Sequence, residues 1–273
     1  MLNGLGSALY VLVYHVLGYR KKVVTQNLKN SFPEKSETEI TAIRKEFYRH
    51  FCDLILETNK LYSISEKTFK THFTFTDNAT ATFSRFEEKK QSIILVLGHC
   101  GNWEYDFVGY NAYFKQLITG VYHPLSNKNF DGYVFKLRMR FGGNLVSMKN
   151  MYRELLRLKT EKIPTTIGLI ADQTPPPESA YWTTFLNQDT PVFNGPEKLA
   201  KKFNYPVVYV YAKKLKRSHY QLDTNVLTET PLETKDGEIS ELFIKELEKN
   251  IKDQPEYWLW SHRRWKHKRT NKS

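Results

Sequence analysis

"ILVLGHCGNWEYD" (94–106) decides how the rest of this chain is read. Four consecutive apolar residues, Ile94 to Leu97, suit a strand buried on both faces. Gly98 ends the run, and Gly101 permits a tight turn. Asn102 can cap a following helix, in whose first turn Glu104 is electrostatically welcome. His99 therefore leaves the end of a strand just before a helix. In open α/β sheets that is where reactive groups collect.

Outward from this unit, strands and helices alternate. Strand patterns fall at 92–97, 117–122, 144–148, 164–170 and 206–211, with an edge strand expected at 219–223. Helical patterns fall at 102–114, 127–141, 150–160, 195–204 and 238–251. Upstream, residues 30–62 read as a loop and then a helix, because Ile40, Ile43, Phe47, Phe51 and Leu54 recur at helical spacing. The stretch from there to residue 90 is mixed. This rhythm predicts an α/β fold: a mixed, largely parallel central sheet with helices on both faces. "TPPPES" (174–179) is the one proline-rich break, and no internal repeat is visible.

A length of 273 residues with 40% hydrophobic content suffices for a full core. The formal charge of +12 predicts an acidic partner, whether nucleic acid, an anionic membrane surface or an acidic protein. Cys52 and Cys100 form no ligand-spaced pair, which argues against a cysteine-built metal site. The first 22 residues read as an N-terminal apolar helix, "GLGSALYVLVYHVLGY" (4–19), and a basic boundary, Arg20-Lys21-Lys22. The run is shorter than the roughly 20 residues a spanning helix needs. It either lies in one leaflet, with everything beyond residue 22 cytoplasmic, or packs as a core helix. Residues 23–265 form the main domain, and 266–273 a basic tail.

Chemically, His99 is a competent base at neutral pH, since an imidazole titrates near 6.5. The turn allows the Glu104 carboxylate to accept a hydrogen bond from one ring nitrogen, leaving the other free to take a proton, as in a hydrolase triad. Asp106 could orient the ring instead. Two other readings stay open: His99 as a plain turn residue beside a solvated Glu104, and Cys100 as a nucleophile.

His-x4-acid after a buried strand resembles the first motif of the lysophospholipid acyltransferase superfamily. "GHCGNWE" is similar to its lipid A biosynthesis branch, the lauroyl and myristoyl transferases. Further blocks follow in that family's order: "YRKKVVTQNLKNSFPEKS" (19–36), "VYHPLSNKNFDGYVFKLRMRFG" (121–142), "IADQTP" (170–175), "NGPEKLAKKFNYPVV" (194–208) and "YWLWSHRRWKHK" (257–268). The resemblance spans nearly the whole chain. It implies an O-acyltransferase with His99 as general base and Glu104 as its orienter. Arg138, with Arg140 close behind, matches the family's functional arginine, and Asp172 its functional aspartate. It also implies an acyl thioester on acyl carrier protein as donor, and a lipid A precursor or related envelope lipid as acceptor. The expected setting is an anionic membrane surface, the cytoplasmic face of the bacterial inner membrane. Neither metal nor cofactor is expected. A lysophospholipid or amino-acid lipid is the alternative acceptor. Three features depart from the pattern: a short apolar start, Phe185-Leu186-Asn187 where members carry Phe-Phe-Gly, and His123 where many carry a basic residue. The competing class is a non-catalytic basic protein on nucleic acid or membrane. No nucleic-acid-binding motif supports it, and it leaves His99 and Glu104 unexplained.

Overall fold

The computed structural model describes residues 2–269. Its strands are β1 (Phe73–Phe75), β2 (Ile93–Leu97), β3 (Leu117–Tyr122), β4 (Asn144–Ser147) and β5 (Thr165–Ile170), then β6 (Tyr181–Phe185), β7 (Gln188–Val192), β8 (Val207–Lys216) and β9 (His219–Thr228). The helices are α1 (Leu2–Tyr10), α2 (Lys21–Ser31), α3 (Glu37–Lys60), α4 (Glu66–His72) and α5 (Asp77–Glu88), followed by α6 (Trp103–Tyr113), α7 (Lys128–Arg138), α8 (Met151–Thr160), α9 (Gly195–Phe203) and α10 (Glu238–Asp253).

Seven strands form one sheet in the order β1-β9-β8-β2-β5-β3-β4. Pairing is parallel throughout except between β8 and β9. β2 lies centrally, and successive side chains take opposite faces. Ile94 and Val96 join a core with Ile167, Tyr209, Phe243 and Ile244. Ile93, Leu95 and Leu97 join a second core with Phe83, Val108, Tyr110 and Ile118. Helices therefore cover both faces, as the alternating pattern requires.

The expected strands and helices fall where the periodicity puts them, with two corrections. β9 is not an edge strand: β1 pairs with it on its outer side, in register Phe73↔Tyr220. Three residues of strand carry too short an alternation to be seen in the sequence. β6 and β7 form a separate hairpin around Leu186 and Asn187, both at positive φ (48° and 62°). That is the two-residue turn whose twist matches paired strands, built here without a glycine to announce it. α2, α4 and α5 also occupy stretches the sequence left unassigned.

At the N-terminus, α1 passes into a wider helical turn over Val11–Val16, and the Leu17 amide bonds the Leu12 carbonyl at 2.9 Å. Tyr10, Val13 and Tyr14 pack inward, while Leu5, Val11, Leu12, Val16 and Leu17 face outward. No helix among the described residues is long and apolar enough to cross a membrane. Of the expected basic tail, residues 270–273 lie outside the described residues, as does Met1. Upstream of the tail, Arg264 belongs to the interior and is fully buried.

Candidate active site

β2 and β5 are parallel neighbours with Leu97 opposite Ile170. His99 and Asp172 each lie two residues beyond those partners, so the register alone brings them side by side. The Nδ1–H of His99 donates to Asp172 Oδ1 at 2.6 Å, and the His99 backbone N–H donates to Oδ2 at 2.7 Å. Trp258 Nε1–H completes the shell, donating to Oδ2 at 2.8 Å.

Asp172 is 2% exposed. Burial by itself would raise its pKa, but the charge of His99 and these hydrogen bonds outweigh it and hold the carboxyl down at about 2. An ionised Asp172 keeps the proton of His99 on Nδ1. Nε2 is left facing the Gln173 amide, 3.3 Å away. The indole of Trp103 meets the imidazole edge-on, with ring centroids 5.0 Å apart.

The turn carrying His99 is anchored from two sides. The chain at 257–259 runs alongside it: the Gly101 N–H donates to the Tyr257 carbonyl at 2.9 Å, and the Leu259 N–H to the His99 carbonyl at 3.1 Å. His50 Nε2, on α3, bonds the Gly101 carbonyl at 2.9 Å, and Asn102 donates to Glu57 Oε2 at 2.8 Å. Gly101 has φ +56°, and a Cβ there would strike the Ala212 carbonyl. Only glycine serves at that position.

Glu104 does not orient His99. Its carboxylate is clamped by Arg138, which donates from Nε at 2.8 Å and from Nη2 at 2.7 Å. The parallel pair is the fork-on-fork geometry that fixes a guanidinium in place. The expected partner of His99 is thus replaced by Asp172, because strand register delivers Asp172 to Nδ1 while the first turn of α6 points Glu104 toward α7. Arg138 ends α7 at the mouth of a cavity. Arg140 does not line it, since its guanidinium donates to the Ile64 carbonyl at 3.0 and 3.3 Å. His123 does line it, at an exposed position. Burial, and then the charge of Asp172, push the Cys100 thiol well up. That leaves no thiolate to act as nucleophile.

The cavity itself encloses about 530 Å³, inside the roughly 300–1,000 Å³ range of pockets that hold a whole small ligand. His99, Glu104, Arg138 and Gln173 mark its polar mouth. Its depths run between α6 and the sheet, past Leu95, Ile118 and Val210 toward Phe83 and Tyr110. Gly120 and Gly168 are register partners on β3 and β5. A Cβ on Gly168 would meet nothing within 4 Å, so the missing side chain is part of the open space.

Of the five residues that sequence reasoning picked out, His99, Glu104 and Arg138 line one opening, Asp172 lies buried behind His99, and Arg140 turns away to the Ile64 carbonyl. Sequence reasoning did not foresee Trp258 or Gln173 as contacts of the His99–Asp172 pair. Neither has a periodic signature, and Trp258 arrives from 86 residues beyond Asp172. Comparison with known families matches residues 1–267 to bacterial lipid A biosynthesis acyltransferases. No curated protein gives a match.

Proposed function

The chain belongs to the bacterial lipid A biosynthesis acyltransferase family, and from that premise we propose that it moves a fatty acyl chain from acyl carrier protein to a lipid hydroxyl with His99 as the base. The observation that carries this reading is an imidazole held through Nδ1 by a buried carboxylate at the mouth of an apolar, chain-sized cavity.

In the proposed step the acyl chain lies in the cavity with its thioester carbonyl beside His99. Nε2 takes the proton of the acceptor hydroxyl as its oxygen attacks the carbonyl carbon. The carbonyl oxygen gains negative charge, for which Arg138 is the nearby fixed cation. Collapse breaks the C–S bond, and the thiolate leaves with the proton from Nε2. The ester is the other product, and His99 returns to its starting state. Glu104 serves by holding Arg138 in position.

A +12 chain suits both an acidic carrier protein and the phosphates of an envelope lipid. The outward apolar residues of the N-terminal segment, followed at once by Arg20, Lys21 and Lys22, suit an anionic bilayer surface. We place the protein at the cytoplasmic face of the bacterial inner membrane on that basis. The test is His99→Ala, assayed with labelled acyl carrier protein and an envelope lipid extract. Transfer should fall about 10²–10⁴-fold while circular dichroism shows the fold of the parent. Transfer within about tenfold of the parent would remove His99 as base.

A further inference from the structure

Asp106 has no part in the transfer step, yet it lies inside the same cavity. Trp103, Asp106, Phe107 and Tyr110 are spaced i, i+3, i+4 and i+7 on α6, and all four line one wall. Three are aromatic. The fourth is a carboxyl, 6% exposed, whose Oδ1 has no hydrogen-bond partner among the described residues. Burial first, and the charge of Glu104 second, push its pKa well above the ordinary range. A neutral acid of this kind can both donate and accept a hydrogen bond. A leucine would complete the aromatic wall without an unanswered polar group, which a folded interior rarely tolerates.

Its depth in the cavity identifies what would answer it. Trp103 touches the His99 ring and marks the reacting end. Tyr110 bonds Thr166 Oγ1 at 2.7 Å, at the start of β5, and marks the far end. Asp106 stands three residues past Trp103, about 4.5 Å deeper along the helix axis at 1.5 Å per residue. A group meeting it would sit on one of the chain carbons near the thioester.

We propose that the chain bound here carries a hydroxyl on a carbon close to the thioester, and that the Asp106 carboxyl receives it. The preferred donor is then a hydroxyacyl thioester rather than the unsubstituted chain of equal length. This rests on the acyl-transfer reading above. It adds the class of chain transferred.

The experiment offers the full-length protein equal amounts of twelve-carbon acyl carrier protein thioesters in one tube with an envelope lipid extract. One is unsubstituted, and the others carry a hydroxyl on the second, third or fourth carbon. Mass spectrometry reads the ratio of acylated products, so overall loss of activity in a variant cancels. The expected result is a preference of about 10–100-fold for one hydroxylated isomer, the scale of one buried polar group left paired or unpaired. Asp106→Asn, which keeps a neutral hydrogen-bonding group, should retain most of that preference, and Asp106→Leu should bring the ratio close to one.

Parent ratios within about threefold of unity across all four chains would overturn the hydroxyl assignment, a water then being all that Asp106 binds, while leaving acyl transfer intact. A parent preference that Asp106→Leu leaves unchanged would also overturn it. Transfer of none of the four by the parent would remove the acyl-transfer reading and this inference together.

Discussion

The two faces of the central sheet are built from alternate residues of the same strands, yet one is solid and the other hollow. On the solid face, Ile94, Val96, Ile167 and Leu169 meet α9 and α10 through residues such as Ala200, Phe203, Phe243 and Leu247. On the hollow face, Leu95, Gly120, Gly168 and Ile170 look into a cavity of about 530 Å³. Hydrophobicity is not what separates them. Gly168, whose absent side chain leaves open space, and a carboxyl on the facing helix keep the second face from closing, whereas the space beside Gly120 is taken by Phe107 and Leu145. Close packing is the default of a protein interior, so a void flanked by such residues is a built feature.

The largest predicted effect lies at the seam where both faces end, beyond the carboxyl ends of β2 and β5. Asp172→Asn keeps the shape but allows the wrong imidazole tautomer, and steady-state transfer should fall roughly 10³–10⁴-fold. A loss under about tenfold would show that strand register, and not Asp172, sets the state of His99. Next in size is a cut into the solid face. Ile167→Ala should cost about 2–5 kcal/mol in urea unfolding while leaving chain-length preference as it was. A changed chain preference would mean the faces are not independent.

The hollow face responds in the opposite way. Gly168→Leu should leave stability nearly unaltered, since the new side chain enters empty space. It should, however, lower kcat/KM for the longest accepted chain about a hundredfold relative to one several carbons shorter, at roughly 0.8 kcal/mol per buried methylene. Unaltered length preference would place the chain elsewhere. The smallest effect is an acid one. Asp172 has its pKa depressed from an ordinary 3.8 to about 2, so its contribution is complete above the ordinary value. It fades as pH falls through about 4 toward 2, and amounts to roughly 2 kcal/mol. The unfolding free energy of Asp172→Asn should lack this acid step. An identical slope in parent and variant would contradict it.

Much of the hollow face's frame was legible beforehand. β2, β3 and β5 carry apolar runs bounded by Gly or Pro, and α6 and α7 carry helical periods. The hairpin at 181–192 was not, because Leu186 and Asn187 adopt left-handed backbone without the glycine that marks such turns. β1 was too short to show an alternation. Trp258 and Trp260 lie in the core, at 3% and 0% exposure. Trp258 additionally donates to Asp172, a contact that depends on which segment runs beside residues 99–101.

By itself the sequence determined the alternation of strands and helices, the family, and the three side chains at the mouth with the aspartate behind them, because periodicity, turn chemistry and motif order are local properties of the chain. Tertiary structure alone decided who holds whom. Glu104 lies five residues from His99 and Asp172 seventy-three, yet the imidazole goes to Asp172, since parallel register between two strands aligns their ends more strictly than closeness along a turn can. The cavity was likewise hidden: an absent side chain at Gly168 becomes volume only when another element stands across from it.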